Sequence, residues 1–241
     1  MERTGKSEIV NGFTLIELLV VISIIGLLAA LTFPVLTGVK RQQYIRNTQA
    51  EMEQIETAIE RYKAAYGFYP PDGNKVINNV PINQLYFELL GTTNIAGDSP
   101  TPQYQSLDDP TIQLPPSALN NLFGVSGFMN CSKPGSSEDA HMAQNFLPGL
   151  KPGQISSTFT NRNAGNYPFK MLIASVGGPD PNYNPLGQPP PGPYYNPWRY
   201  NSSSPTNNPG AYDLWVQLSI GGRTNLICNW NKKVQFNSPL P

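Results

Sequence analysis

The stretch from Gly12 to Val21, with the sequence GFTLIELLVV, begins a long apolar segment of this 241-residue chain. From Leu18 to Val39 no residue carries a formal charge. At a rise of about 1.5 Å per residue, a helix of that length crosses a hydrocarbon core of about 30 Å. A secretory signal peptide is the alternative, but it predicts a shorter apolar run followed by a small-residue cleavage site. Because this run continues through Phe33-Pro34-Val35, we predict a membrane-spanning helix.

Glu17 is the charged residue near the start of this apolar stretch. A carboxylate inside a membrane span costs about 2.5 to 3.5 kcal/mol on insertion scales, which indicates a functional role with a partner. The alternative is that Glu17, one turn from the helix start, reaches the lipid headgroups at little cost.

Residues 12–21 resemble the processing site of type IV prepilins and type II secretion pseudopilins almost letter for letter. The resemblance implies that a prepilin peptidase cleaves between Gly12 and Phe13 and methylates the new amine of Phe13, so that residues 1–12 are a leader. It also implies that Glu17 pairs with the N-terminal amine of a neighbouring subunit, because a cation in a low-dielectric environment needs a counter-charge. Pro34 lies where this family frequently has a helix-distorting proline. It should kink or locally melt the helix, unless it merely ends the span.

After Val39 the apolar pattern becomes amphipathic. Bulky apolar and aromatic residues recur at helical spacing at Ile45, Met52, Ile55, Ile59, Tyr62 and Tyr66. We predict that this helix continues the spine and packs on a head, with Gly67 as its stop signal. Together with the resemblance, this predicts a leader at 1–12, a transmembrane helix at 13–39, an amphipathic helix at 40–67 and a head domain at 68–241.

The 25 prolines and 21 glycines lie mostly after residue 67, and they predict a loop-rich head with short elements. We predict strands at 169–176, 212–220 and 234–236, and short helices at 83–90 and 138–146. Residues 177–209 are predicted to form a long irregular loop. The fold class is therefore α+β, with a pilin-like long N-terminal helix packed on a small antiparallel β-sheet.

Segments of the head also resemble the major pseudopilin of type II secretion. They lie at 62–70, 196–200, 212–215 and 227–230 and occur in the order found in that group. The chain from about residue 72 to 192 is longer than the family's usual connection, and the resemblance assigns it no role.

Members of this family often bind calcium in the C-terminal loop through acidic and backbone oxygens. Here the corresponding loop, Leu218–Leu226, has no carboxylate and contains Arg223. Asp213 is the nearby acidic candidate. We expect no bound calcium and predict that other contacts, with Cys228 as one candidate, take over its structural role.

Cys131 and Cys228 are the two cysteines, too few for a disulfide framework and without the spacing of a zinc site. In an oxidising compartment they could pair and close a loop worth about 4 to 5 kcal/mol in the chain-entropy model. Two buried thiols are the alternative.

The composition does not favour an enzyme. Lys plus Arg and Asp plus Glu are equal at 16 each, so no net field favours nucleic acid. His141 is the sole histidine, which excludes histidine-rich metal sites, and no nucleophile motif flanks it. Asp108-Asp109 lies next to Pro110 and is predicted to form a turn rather than an acid/base pair.

The resemblance implies a structural subunit of a type II secretion pseudopilus or type IV pilus-like filament. Its partners would be copies of itself or other pseudopilins, prepilin peptidase, an inner-membrane assembly platform and membrane lipid. The alternative is a membrane-anchored binding module whose Asn, Tyr and Trp side chains form a glycan-binding face.

The orientation in the membrane rests on the resemblance. Arg3 and Lys6 precede the apolar segment, whereas Lys40, Arg41 and Arg46 follow it, and this count favours a cytoplasmic head. The processing motif implies the opposite, because the family's peptidase acts at the cytoplasmic face. We predict a single-pass protein of the inner membrane with an extracytoplasmic or periplasmic head.

Overall fold

A computed structural model of the chain describes residues 14–73, 75–77, 80–96, 103–132, 142–156, 159–160, 166–176 and 195–237. Within these ranges, the side chains of residues 31–37, 76–77, 80–81 and 159–160 lie outside the described part. The chain divides into two compact units, residues 1–43 and 44–241. The long helix α1, Leu15–Tyr66, contributes residues to both units.

Two short helices follow α1 in the described part of the chain: α2 at Leu85–Leu90 and α3 at Pro116–Phe123. A single 3-10 turn lies at Pro152–Gln154. The first strands are β1 (Lys75–Ile77), β2 (Val80–Ile82), β3 (Thr92–Asn94), β4 (Tyr104–Ser106), β5 (Gln113–Leu114), β6 (Cys131–Ser132) and β7 (Phe159–Thr160). They are followed by β8 (Pro168–Phe169), β9 (Ile173–Ala174), β10 (Asn196–Pro197), β11 (Arg199–Asn201), β12 (Asp213–Ile220), β13 (Arg223–Cys228) and β14 (Asn231–Phe236).

The C-terminal sheet has the strand order β11-β12-β13-β14 and is antiparallel throughout. Strands β12 and β13 form a hairpin in which Ile220 pairs with Arg223. Its two turn residues, Gly221 and Gly222, have φ values of 59° and 73°. A two-residue hairpin turn of this kind requires positive φ at both positions, which glycine adopts without strain.

The second four-stranded sheet has the order β5-β4-β3-β6 and lies within residues 72–192. Strands β3 and β6 are parallel, with Thr92 opposite Cys131, whereas the other pairs are antiparallel. Helices α2 and α3 bury their apolar side chains beside this sheet in the same core as α1. The described parts of the long connection therefore belong to the folded head.

The predicted stripe on α1 is confirmed. Its buried members are Ile45, Met52, Ile55, Ile59 and Tyr62, and Tyr66 is half-buried against the same core. The helix ends at Tyr66, and the N–H of Gly67 donates to the carbonyl of Lys63 at 2.8 Å. Gly67 has a φ of 82°, so it is the predicted stop in left-handed conformation.

Some predicted elements differ from the structure. The predicted helix at 138–146 is wrong for residues 142–146, which are not helical, and residues 138–141 lie outside the described part. The predicted strand at 169–176 is two strands, β8 and β9. Residues 177–194 of the predicted loop 177–209 lie outside the described residues, but β10 and β11 fall within its remainder. The predicted loop Leu218–Leu226 is mostly the β12–β13 hairpin.

Candidate functional site

Helix α1 begins with a capping box formed by Thr14 and Glu17. The backbone N–H and the hydroxyl of Thr14 donate to Oε2 of Glu17 at 2.8 and 2.7 Å, and the N–H of Glu17 donates to Oγ1 of Thr14 at 3.3 Å. This reciprocal pair satisfies N–H groups that a helix start leaves without an intrahelical acceptor. The sequence-based prediction assigned Glu17 a role in assembly. Its second role, capping the start of α1, is indicated by the Thr-x-x-Glu spacing of Thr14 and Glu17.

The first unit exposes an apolar surface. Every residue from 14 to 30 is exposed, with exposed fractions of 82% for Leu15, 69% for Ile16 and 63% for Leu27. A contiguous apolar surface of this kind marks contact with lipid or with other protein.

No helix in the part of the chain that the structure describes is long and apolar enough to cross a membrane. The predicted span at 13–39 includes Phe13 and the side chains of residues 31–37, which lie outside the described part. Gly12 and the predicted leader at 1–12 lie outside it as well. Helix α1 continues through position 34. The distortion assigned to Pro34 stays a prediction.

Asp213 is buried at the start of β12, and its carboxylate accepts four hydrogen bonds. Oδ2 accepts from the backbone N–H groups of Thr206 and Asn207 at 2.8 and 2.9 Å and from Nδ2 of Asn207 at 3.1 Å. Oδ1 accepts from the N–H of Asn208 at 2.8 Å. These donors fold the 206–208 loop around a negative charge.

This arrangement does not fit a calcium ligand. A calcium ligand directs its oxygen lone pairs at the cation, whereas both oxygens of Asp213 face N–H donors. No group of three or more His, Cys, Asp or Glu residues that could hold a metal occurs among the described residues. The Cys228 thiol contacts the carbonyl of Asn231 at 3.9 Å. The role suggested for Cys228 in place of calcium stays a prediction.

A second buried carboxylate, Glu88 on α2, joins the insert, which is the long connection at residues 72–192, to α1. It accepts hydrogen bonds from Oη of Tyr62 at 2.9 Å, from the N–H groups of Met129 and Asn130 at 3.0 Å each and from Nε2 of Gln84 at 3.3 Å. Burial raises the pKa of Glu88, while the two backbone donors act in the opposite direction. No local pattern in the sequence indicates this residue, because its donors come from three separate segments.

Asn130 extends this polar cluster. Its Nδ2 donates to the carbonyls of Glu88 and Gln144 at 2.7 Å each, and its Oδ1 accepts from Oη of Tyr66 at 2.9 Å. The cluster therefore connects α1, α2 and the segment at 142–146, with the side chains of Asn130 and Glu88 buried.

Cys131 and Cys228 are both thiols in the structure, and they lie in two different sheets, on β6 and β13. The disulfide that the sequence left open is thus not formed here. Burial raises the pKa of the Cys228 thiol.

The residues weighed for catalysis have structural partners. Oδ2 of Asp108 accepts from Oη of Tyr86 at 2.7 Å, whereas Asp109 forms a 2.7 Å ion pair with Lys170. The two carboxylates therefore serve different contacts within the predicted turn. His141 lies outside the described residues.

The tryptophans bear on the glycan-binding alternative. Trp198 is 1% exposed and belongs to the core. Trp215 and Trp230 are half-buried and pack edge to face with ring centroids 5.9 Å apart. None of the three offers the fully exposed ring on which a sugar stacks.

The family model that matches describes a prokaryotic N-terminal methylation motif, and it covers residues 10–33. The type II secretion system core protein G of Escherichia coli is 41% identical over 70 residues, which are 29% of this chain and 46% of that protein. Its counterpart from Aeromonas hydrophila is 38% identical over 60 residues, 25% of this chain and 42% of that protein. The chain thus spans less than half the length of these relatives.

The fimbrial protein EcpB of Eikenella corrodens is similar over a longer stretch, with 28% identity over 175 residues, 73% of this chain and 94% of that protein. No solved structure matches the chain. The chain is thus similar to prepilin-type proteins in its N-terminal segment and, over a longer stretch, to a fimbrial protein.

Proposed function

We propose that the chain is a structural subunit of a pseudopilus or pilus-like filament and not an enzyme. The observation that carries this proposal is the first half of α1, where every described side chain from 14 to 30 is exposed although most are apolar. Such a helix is stable only when lipid or similar helices cover it, and a filament core of neighbouring subunits does so. The N-terminal methylation motif and the pseudopilin and fimbrial relatives support this reading.

Processing at the N-terminus is part of the proposal. Prepilin peptidase would cleave between Gly12 and Phe13 and methylate the amine of Phe13, releasing residues 1–12. The motif match at 10–33 includes both residues. The apolar segment of the mature chain would hold the subunit in the inner membrane as a single pass, with the head outside the cytoplasm, until an assembly platform moves it into the filament.

Glu17 would neutralise the N-terminal amine of a neighbouring subunit. The capping box supports this role, because it places the carboxylate of Glu17 against the N–H of Thr14, one residue from the new chain end. An ammonium group in an apolar filament core needs such a counter-charge. Pro34 would give the packed helix a local distortion within that core.

The experiment that tests this function replaces Gly12 by Glu in the chromosomal gene of the producing bacterium. Because glycine leaves the backbone unobstructed in the peptidase site, Gly12→Glu should keep the unprocessed mass and yield no filament. The wild-type chain should begin at an N-methylated Phe13 and sediment with sheared filaments. Ser23→Ala is a matched control in the same segment, since the Ser23 hydroxyl donates only within the helix, to the carbonyl of Leu19. A wild-type chain that keeps residues 1–12 in the membrane fraction would contradict the proposal.

A further inference from the structure

A polar cavity of about 320 Å³ lies in the second unit, between α1 and segments of the head that pack beside it. Residues three and four apart lie on the same side of a helix, and α1 contributes such a set: Asn47, Ala50, Glu51 and Gln54. The rest of the lining comes from the 3-10 turn and the end of β9, with Lys151, Gln154 and Ser175. Ligand pockets range from about 300 to 1,000 Å³, so this cavity suits a small molecule.

Hydrogen bonds between the lining residues hold the cavity in shape. Gln154 is 7% exposed: its Oε1 accepts from the N–H of Lys151 at 2.8 Å, and its Nε2 donates to Oε1 of Gln54 at 3.3 Å. The N–H of Ser175 donates to Oε2 of Glu51 at 3.3 Å. Helix α1, the 3-10 turn and the end of β9 are therefore already joined around the cavity, so a ligand that enters it has little to reorganise.

The lining carries one charge of each sign. Glu51 and Lys151 both face the cavity, but no ion pair joins them among the residues that the structure describes. A ligand with a single charge would meet a like charge as well as an opposite one, whereas a ligand with both signs can place each of its charges against the opposite charge of the lining. The other polar groups are neutral and come from Asn47, Gln54 and Ser175.

We propose that this cavity binds a small zwitterion, a molecule that carries one ammonium and one carboxylate group, as a free amino acid does. The ammonium faces Glu51 and the carboxylate faces Lys151, each through a charge-assisted hydrogen bond. Oε1 of Glu51 and Nε2 of Gln54 remain for the ligand, because the other polar atom of each side chain already bonds within the lining. This binding function goes beyond the filament role and does not depend on it.

Isothermal titration calorimetry of the full chain in detergent micelles tests the proposal. The probes are glycine, β-alanine and 4-aminobutyrate, three zwitterions whose charges are increasingly far apart, and at least one of them should bind at a single site. Analogues of the tightest probe that lack its ammonium or its carboxylate, such as acetate and methylamine for glycine, should bind at least about tenfold more weakly, because each loses one charge-assisted hydrogen bond.

Variants of the lining show where the probe binds. Glu51→Gln and Lys151→Met should each weaken binding of the tightest probe at least about tenfold. Glu51→Gln keeps a carbonyl that can accept from the N–H of Ser175, so this contact of the lining should persist. Ala50→Leu should abolish binding because the larger side chain fills the cavity without removing a polar group. Ala65→Leu, at an exposed position of α1 outside the lining, is the matched control and should bind like the wild type.

Thermal unfolding of each variant shows whether it is folded, and the three lining variants probe the site independently of one another. The proposal is wrong if none of the three zwitterions binds the wild-type chain at millimolar concentrations, or if the analogues with a single charge bind as tightly as the zwitterion. It is equally wrong if a lining variant folds and still binds like the wild type. Recovery of wild-type polymer after shearing is measured separately, so failure of the zwitterion site and failure of the filament function are distinguishable.

Discussion

The phenol oxygen of Tyr62 on α1 lies 2.9 Å from Oε2 of Glu88 on α2, and both residues are fully buried. This bond joins the end of the long helix to the insert at 72–192, which the family resemblance leaves without a role. Burial raises the pKa of Tyr62, and the neighbouring Glu88 carboxylate adds to the shift, so the phenol stays a donor. The insert is therefore anchored to α1 by a polar contact from which water is excluded.

Replacing Glu88 by Gln should lower the free energy of unfolding by about 2 to 4 kcal/mol. The amide NH₂ of glutamine would face N–H donors from Met129 and Asn130, so at least one buried group would lose its acceptor. Urea unfolding followed by circular dichroism measures this loss. Glu53→Gln, on the exposed face of α1, is the matched control and should change the free energy by less than about 0.5 kcal/mol. An equally small change for Glu88→Gln would mean that the cluster contributes little to stability.

Helix α1 was the most predictable part of the fold, for reasons that lie in nearby residues. Its buried stripe from Ile45 to Tyr62 follows the helical period, and Gly67 stops it through a conformation that glycine favours. Strand β12 was predicted because five of its eight residues are apolar or aromatic: Leu214, Trp215, Val216, Leu218 and Ile220. In these cases the local pattern and the tertiary packing agree.

The rest of the head depends on contacts between distant segments. Strand β10 is two residues long and pairs with β9. Nδ2 of Asn196 in this strand donates to the carbonyl of Gln217 at 2.8 Å. Because these partners are distant in sequence, no hydrophobic periodicity within residues 177–209 could reveal the strand. The contacts of Asp213 were only half predictable. The missing carboxylates in Leu218–Leu226 argue against the cation, but three of the four donors that bind Asp213 are backbone groups, which every sequence has.

Replacing Asp213 by Asn should lower the free energy of unfolding by about 1 to 3 kcal/mol, to the same extent in calcium and in a chelator. The loss arises because an amide cannot accept all four N–H groups that the carboxylate binds. Thermal unfolding of wild type and variant, with millimolar calcium or with a chelator, provides the measurement. A wild-type melting temperature that rises by several degrees in calcium would show that the cation binds here after all.

The Lys170–Asp109 pair should stabilise the head in a pH-dependent way. The ammonium of Lys170, 2.7 Å away, holds the pKa of Asp109 below its usual range, and Thr111 contributes through its hydroxyl and N–H. A carboxyl whose pKa is lower in the folded state contributes stability above the unfolded pKa of about 3.9 and loses it as the pH falls through the folded pKa. Asp109→Asn should therefore cost about 1 kcal/mol at pH 7 and almost nothing once the pH is below the folded pKa.

Urea unfolding between pH 7 and pH 2.5 checks this prediction for Asp109. Lys170→Met provides the second arm of a double-mutant cycle, and the two losses should overlap rather than add, because both remove the same pair. Fully additive losses, or a cost of Asp109→Asn that persists in acid, would assign the stability to the Thr111 contacts instead.

Replacing Glu17 by Ala should leave the subunit in the membrane fraction but lower its incorporation into polymer about 100-fold. The reason is that the variant buries an N-terminal ammonium group without a counter-charge, which costs about 3 kcal/mol. Thr14→Val removes the hydroxyl that bonds Glu17 and keeps the carboxylate. It should lose only the helix cap, about 1 kcal/mol. Immunoblots of membrane and sheared-filament fractions measure both variants. If Thr14→Val abolishes polymer as completely as Glu17→Ala, then Glu17 acts through the capping box, and its pairing with a neighbouring amine is refuted.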